Sequence, residues 1–96
     1  MYYISKTIEV AFAHQLKLTY ESKCRRLHGH NGLITIYCCS ETLDENGMVV
    51  DFSHVKQLVK EKLDHQCLNE LFDFNPTAEN LAHWIAGQVP NCYKVT

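Results

Sequence analysis

Residues 24–31, with the sequence CRRLHGHN, gather a thiol, two arginines and two histidines. His28 and His30 are two positions apart, so in an extended strand both imidazoles project from the same face. A third histidine, His14, shares parity with the apolar residues of an upstream segment that alternates like a strand. Three imidazoles with one open coordination position form a common catalytic zinc site. The sequence therefore predicts a site for one Zn²⁺ per chain, although a single histidine is more often a core or surface residue than a ligand.

Cys24 lies four residues before His28 and allows three interpretations. As a fourth zinc ligand, its thiolate would complete the coordination sphere and make the site structural. As a free thiol beside the metal, it would act as a base or a nucleophile, and the adjacent Arg25 and Arg26 favour the thiolate form. The third interpretation is a small loop cysteine without a chemical role. The residues alone leave all three open.

A carboxylate and an imidazole are adjacent in LDHQCLN, residues 63–69. Asp64 can hold and polarise His65 for proton transfer. Adjacent residues do not face each other on a regular helix, so this partnership requires the preceding helix to end here. The alternative is an ordinary histidine at a helix C-terminus, where the helix dipole stabilises it.

Composition excludes several classes of function. The 96 residues are 46% hydrophobic and 21% charged with a formal net charge of −2, which predicts one globular domain and no nucleic-acid partner. Residues 1–10 contain Lys6 and Glu9 and no long apolar run, so neither a signal peptide nor a membrane span is expected and the chain is expected to be cytoplasmic. Five cysteines, two of them adjacent, favour small buried or half-buried thiols over a disulfide scaffold.

Two long strands are expected to carry the three histidines. The N-terminal residues alternate up to His14, and the even-numbered face carries Ile4, Ile8, Val10 and Phe12. A second strand is predicted at about residues 27–40, where β-branched residues are frequent. The turn DENG, residues 44–47, ends in Asn-Gly, a strong hairpin signal, and is expected to lead into a short extended run at residues 48–50.

Two helices and a last strand follow. Apolar residues recur at helical spacing from Ser53, which can act as an N-cap. A second helix begins at Thr77, another capping residue, and ends at Pro90. The final residues, 92–96, indicate the start of a strand. This order predicts an α+β plait of strand, strand, helix, helix and strand, with something missing at its end.

Five motifs in order resemble the 6-pyruvoyltetrahydropterin synthase superfamily: FAH, CRRLHGHN, GMVVDF, LDHQCLN and PTAEN. They span nearly the whole chain, which is most similar to the short bacterial branch, the 6-carboxy-5,6,7,8-tetrahydropterin synthases of queuosine and 7-deazapurine biosynthesis. The resemblance implies the tunnelling fold, in which an antiparallel sheet has two helices packed on one face. The sheets of several subunits then close into a barrel. Active sites then lie between subunits, typically in a homohexamer of two trimers. Oligomer contacts would also cover the exposed strand edges of so small a domain.

The resemblance implies a role for each metal-site residue. His14, His28 and His30 match the three zinc ligands. Cys24 matches the catalytic thiol rather than a fourth ligand.

Four further residues match functional positions of the family. Asp64 and His65 match the acid-base partners. Thr77 and Glu79 match a segment near the pterin pocket, although both are equally typical of a helix cap and a first-turn acid.

The implied reaction converts 7,8-dihydroneopterin triphosphate into 6-carboxy-5,6,7,8-tetrahydropterin with loss of acetaldehyde and triphosphate. Two alternatives stay open at this point. One is a 6-pyruvoyltetrahydropterin synthase, which eliminates triphosphate from the same substrate and keeps the carbon chain. The other is a non-catalytic zinc- or pterin-binding protein of the same fold, in which Cys24 closes the metal site.

Two features depart from the family pattern. Gly32 follows Asn31 at a position where the family usually has a bulky residue, and it is expected to loosen the strand. The sequence ends at Thr96, where a family member would continue into a segment with a glutamate that anchors the pterin ring and then into a final strand. This C-terminal strand is therefore expected to be lacking. No residue of this sequence can be assigned that anchoring role.

Overall fold

A computed structural model describes residues 1–96 of the chain. The strands are β1 (Tyr2–His14), β2 (His28–Ser40), β3 (Gln66–Cys67) and β4 (Cys92–Val95). The helices are α1 (Phe52–Val55), α2 (Glu61–Leu63), α3 (Leu68–Leu71) and α4 (Ala78–Gln88). A π-helical turn (Lys56–Lys60) joins α1 to α2 without a break, and a 3₁₀ turn (Lys23–Arg25) lies between β1 and β2.

The ladder between β1 and β2 is the framework of the site. The two strands are antiparallel and pair without a shift from Tyr2 opposite Ser40 to His14 opposite His28. Alternation turns the even-numbered apolar residues of both strands towards the helices, where Val10 and Ile36 are fully buried. Both predicted strands are confirmed, and all three histidines share this helix-facing side of the sheet.

The sheet is mixed, with the strand order β3-β1-β2-β4. β4 pairs antiparallel with β2, which confirms the strand predicted near the end of the sequence. β3 pairs parallel with β1 through Phe12 and Ala13, so the expectation of a purely antiparallel sheet is wrong at this edge. After α2, the chain runs beside the end of β1 for only two residues. So short a pairing has no periodicity that a sequence could reveal.

The first helical segment begins earlier than predicted. Asp51, and not Ser53, is the N-cap, because the Asp51 carboxylate accepts hydrogen bonds from the backbone N–H and the hydroxyl of Ser53 at 2.8 and 2.7 Å. Buried residues then recur every fourth position, at Val55, Val59 and Leu63. A strict four-residue spacing drifts around an α-helix, and the wider π turn between the two helices reduces that drift.

The extended run expected at residues 48–50 does not pair as a strand. Instead, the Asp44 carboxylate accepts hydrogen bonds from the N–H groups of Asn46 and Met48 at 2.8 and 3.0 Å, which closes the loop on itself. Gly47 has φ +80°, a left-handed conformation that glycine adopts without strain. The Asn-Gly turn therefore forms without a hairpin.

Helix α4 closes the core over the sheet. Its predicted cap is confirmed, since the Thr77 hydroxyl accepts a hydrogen bond from the Asn80 N–H at 3.1 Å. Leu81 and Ile85 are buried, and the ring of Trp84 packs 4.8 Å from that of Phe72. No helix has the length and apolar character needed to cross a membrane.

Candidate metal centre and active site

The three histidines converge at one end of the β1–β2 ladder. Their potential ligand nitrogens all lie within 4.8 Å of one another. His14 and His28 are direct cross-strand partners, and His30 follows on the same face. The ring centroids are 4.5 Å apart for His14 and His28, 5.0 Å for His14 and His30, and 4.8 Å for His28 and His30. The convergence predicted from strand parity is confirmed.

Backbone carbonyls orient two of the three rings. His14 Nδ1 lies 2.8 Å from the Pro76 carbonyl oxygen, and His28 Nδ1 lies 2.7 Å from that of Arg26. A carbonyl can only accept a hydrogen bond, so each Nδ1 carries the hydrogen and donates it. In the neutral ring, Nε2 is then the atom with the free lone pair, as is typical of metal-binding histidines.

The electrostatics at His14 favour its neutral form. Burial lowers the pKa of His14, the hydrogen bond to Pro76 partly opposes this, and the nearby His28 and His30 lower the pKa further. The neutral imidazole is the form that binds a metal. Three converging imidazoles therefore fit a divalent metal that prefers nitrogen ligands, and three protein ligands are the number typical of catalytic zinc sites.

Phe12 forms an apolar wall beside the three histidines. Its ring centroid lies 5.4 Å from that of His14 and 5.7 Å from that of His30. Gly32 gives this ring its space, because a Cβ atom at Gly32 would lie 3.0 Å from Phe12 Cε1. The ladder continues unshifted through Gly32, which pairs with Val10. The expected loosening of the strand is therefore absent.

Cys24 is half-buried in the 3₁₀ turn that precedes β2. Its carbonyl oxygen accepts a hydrogen bond from the Leu16 N–H at 2.9 Å, which ties the turn to the chain just beyond His14. The group of converging ligand atoms contains the three histidines and does not include the Cys24 thiol. This geometry gives no support to Cys24 as a fourth ligand, and its role as a base stays a prediction.

Helix α2 ends where the pairing of Asp64 with His65 requires it to end. His65 has φ +59°, and its N–H donates a hydrogen bond to the Ala11 carbonyl at 2.6 Å. Asp64 Oδ1 accepts from the Ala11 N–H at 2.8 Å, and Oδ2 lies 3.7 Å from His65 Nε2. One carboxylate oxygen thus anchors the chain to β1 while the other faces the imidazole. The His65 side chain is 83% exposed and can reach a ligand.

Two open volumes adjoin the histidines. A cleft of about 510 Å³ is lined by three residues of β1, three of β2 including His30, and residues 65–67. A second cavity, of about 300 Å³, lies between the sheet and α4 and is lined by His14, His30 and mainly apolar side chains. His30 lines both volumes, and His65 lines the first. A small molecule that fills the cleft would therefore contact both His30 and His65.

Thr77 and Glu79 are not part of these two linings. The Thr77 hydroxyl caps α4, and Glu79 is an exposed first-turn acid. Their neighbours Pro76 and Ala78 do line the second cavity. Contact of Thr77 and Glu79 with a substrate stays a prediction.

The sequence did not indicate the groups that hold the His14 ring and the chain after β1 in place. The carbonyl of Pro76 orients His14, and Asn69 and Asn75 hold the chain just beyond β1 through side-chain hydrogen bonds to Gln15 and Lys17. Asn69 lies within one of the recognised motifs, which was its only signal. A backbone carbonyl has no residue-type signature at all.

The anchoring role of Asp64 can be tested by the pH dependence of the protein's stability. The hydrogen bond from Ala11 lowers the pKa of Asp64 below 3.8, burial opposes this, and His65 lowers the pKa further. A lowered folded-state pKa contributes stability that is complete above the unfolded pKa and is lost as pH falls through the folded value. We expect Asp64→Ala to melt at a lower temperature than wild type near pH 6, with the difference shrinking as the pH falls below the ordinary pKa of an aspartate.

Thermal melts across this pH range make the measurement. Asp64→Asn retains an amide oxygen that can accept a hydrogen bond from the Ala11 N–H. Its melting temperature should therefore fall less than that of Asp64→Ala. Asp73→Asn is the control, since Asp73 is exposed and makes no hydrogen bond or ion pair. A difference that grew on acidification would contradict the anchoring role.

The sequence of the chain is similar to those of several known proteins. Residues 3–95 match the family model described as 6-pyruvoyl tetrahydropterin synthase. The chain is 44% identical over 94 residues to the 6-carboxy-5,6,7,8-tetrahydropterin synthase of Synechocystis sp., a match covering 88% of this chain and 72% of that protein. It is 32% identical over 93 residues to the Bacillus subtilis protein of the same name, covering 90% of this chain and 64% of the relative.

The fold has a clear structural counterpart. The structure of Caenorhabditis elegans 6-pyruvoyl tetrahydropterin synthase superimposes with a TM-score of 0.74 at 25% sequence identity, covering 98% of this chain and 85% of that one. An uncharacterised protein from Wolinella succinogenes superimposes with a TM-score of 0.64 at 22% identity, which shows a shared fold. The mixed sheet with few helices is therefore the fold of these proteins.

Proposed function

Because the chain belongs to the 6-pyruvoyl tetrahydropterin synthase family, we propose that it is a zinc-dependent lyase acting on 7,8-dihydroneopterin triphosphate. The products would be 6-carboxy-5,6,7,8-tetrahydropterin, acetaldehyde and triphosphate, in the biosynthesis of queuosine and 7-deazapurines. The observation that carries the proposal is the convergence of three imidazoles, two of them oriented by backbone carbonyls. The names of the Synechocystis and B. subtilis relatives support the carboxy product. A cytoplasmic location stays a prediction.

The metal would be held by His14, His28 and His30, with one zinc per chain. When bound, zinc supplies a Lewis acid that makes the hydroxyl and adjacent C–H protons of the substrate side chain easier to remove. Phe12 packs against two of the imidazoles and keeps water from that side of the site.

Proton transfer would be divided between two groups of this chain. Cys24, as thiolate, takes a proton at one face of the substrate. His65 relays a proton at the other face, and Asp64 orients it from 3.7 Å. Thr77 and Glu79 are proposed to contact the pterin, as their match to the family segment implies.

A 6-pyruvoyl product is the second candidate, since the family description and the C. elegans structure carry that name. The test is incubation of metal-loaded protein with 7,8-dihydroneopterin triphosphate and identification of the products by mass spectrometry. We expect 6-carboxytetrahydropterin together with acetaldehyde. A 6-pyruvoyl pterin released with triphosphate alone would favour the second candidate. Absence of both products would favour a non-catalytic zinc- or pterin-binding protein.

Assembly into a homohexamer of two trimers is the proposed quaternary structure. β3 pairs with β1 only at Phe12 and Ala13, so most of the outer edge of β1 lacks a strand partner. Apolar side chains are also exposed on the sheet face away from the helices, with Tyr3 66% and Leu33 70% accessible. Unpaired edges and exposed apolar groups both favour association.

Light scattering at micromolar concentration measures the assembly directly. We expect the mass of six chains, or of three if only the trimer is stable. A stable monomer at that concentration would contradict both the barrel and a site shared between subunits.

A further inference from the structure

The connection from β1 to β2, residues 15–27, is the most cationic part of the chain, and we call it the basic loop. It contains four cationic side chains, Lys17, Lys23, Arg25 and Arg26, and one carboxylate, Glu21. Its net charge is therefore +3. Since the whole chain carries −2, the other residues carry −5, from five cationic and ten acidic side chains. A local reversal of charge of this size attracts anions to one region of the molecule.

Both ends of the basic loop are attached to the candidate metal site. Its first residue follows His14, and its last precedes His28. The Arg26 carbonyl accepts the hydrogen bond that orients His28, at 2.7 Å. The hydrogen bond from the Leu16 N–H to the Cys24 carbonyl, at 2.9 Å, joins the two arms of the loop. The basic loop is therefore fixed at both ends to the strands that carry the histidines.

Two asparagines make the first arm of the loop rigid. Asn69 accepts from the Gln15 N–H at 2.8 Å and donates to the Gln15 carbonyl at 2.9 Å. Asn75 does the same with Lys17, both at 2.8 Å. Each asparagine thus satisfies both backbone groups of one residue, as a neighbouring strand would. A loop ordered in advance loses less conformational entropy when it binds a ligand.

Most of the loop cations are free to bind. Arg25 donates to Glu21 at 2.8 Å and is partly neutralised by it. Lys17, Lys23 and Arg26 are exposed and form no ion pair. Lys23 and Arg26 also line a shallow groove that contains no apolar side chain. Unpaired cations on such a polar surface are suited to a multiply charged phosphate chain.

We propose that the basic loop binds the triphosphate group of the substrate, an inference that rests on the proposed function. Binding there holds the carbon chain of the substrate towards the histidines. When the bond between carbon and the triphosphate oxygen breaks, the electron pair leaves with that oxygen. The loop cations then stabilise the charge that develops on the leaving group.

The test compares two double variants with the same net charge. Lys23→Gln with Arg26→Gln removes two loop cations, while Lys56→Gln with Lys62→Gln removes two exposed lysines from the first helical segment. Calorimetric titration with inorganic tripolyphosphate at low salt measures binding without any turnover. We expect about tenfold weaker binding in the loop variant and a change of less than about twofold in the control. Equal losses in both would show an effect of net charge alone and overturn the proposal.

Two further measurements separate the loop from the metal and from catalysis. If tripolyphosphate still binds after a chelator has removed the metal, the result supports binding by the loop. If binding disappears, the anion binds the metal and the proposal is overturned. With 7,8-dihydroneopterin triphosphate, the loop variant should raise KM about tenfold, and the affinity for unphosphorylated 7,8-dihydroneopterin should stay unchanged. If tripolyphosphate binding depends on the loop but no product forms, the proposed function is wrong and the loop proposal stands. If the loop variant forms normal products with an unchanged KM, the loop proposal is wrong and the proposed function stands.

Discussion

The double variant His28→Ala, His30→Ala is expected to lose its zinc and its turnover together. It removes two of the three imidazoles whose ligand atoms converge within 4.8 Å, and His14 alone cannot hold the ion. Loss of a group that merely orients a metal ligand lowers affinity about 10- to 100-fold, so loss of two ligands should exceed about 100-fold. Wild-type protein should keep about one zinc per chain after dialysis.

Elemental analysis after gentle dialysis measures the effect. The matched control is His54→Ala with His83→Ala, since both histidines are exposed and lie outside the converging group. The control should retain wild-type zinc content and product formation. If zinc remained at wild-type stoichiometry without His28 and His30, the metal site would have to lie elsewhere in the chain.

Long periodic elements were the part of the fold that the sequence could predict. Thirteen residues of alternation identify β1, and the same parity in β2 places His28 and His30 with His14 on one face. The cap at Thr77 was likewise predictable, because a capping side chain acts within its own turn.

Short and tertiary features were not predictable in the same way. β3 is two residues long, and its parallel pairing is set by where α2 delivers the chain. At the start of α1, Asp51 and Ser53 can both cap, and only the geometry selects the aspartate. Residues 48–50 looked extended, but the Asp44 carboxylate takes the nearby N–H groups within its own loop.

At the site, residue types were predictable and their orientation was not. The histidines could be found by parity, whereas the carbonyls of Pro76 and Arg26 that fix their tautomers belong to the backbone. The contact between Gly32 and Phe12 joins two strands, so it appears only once the register is known. Asp64 has a hydrogen bond to β1 that its adjacency to His65 did not suggest.

Cys24→Ala is expected to keep its zinc and its assembly while losing turnover about 10²- to 10⁴-fold, the usual contribution of a general acid-base group. The converging ligand atoms come from the histidines without the thiol, so removing the thiol should leave metal affinity intact. Cys39→Ala is the control, since Cys39 is also half-buried but lies near the far end of β2.

Zinc content, light scattering and product formation are to be measured on the same Cys24→Ala preparation. Zinc lost together with activity would instead identify Cys24 as a ligand and favour the non-catalytic protein. Full activity with zinc retained would return Cys24 to an ordinary residue of the 3₁₀ turn, and His65 would then have to move the proton on its own.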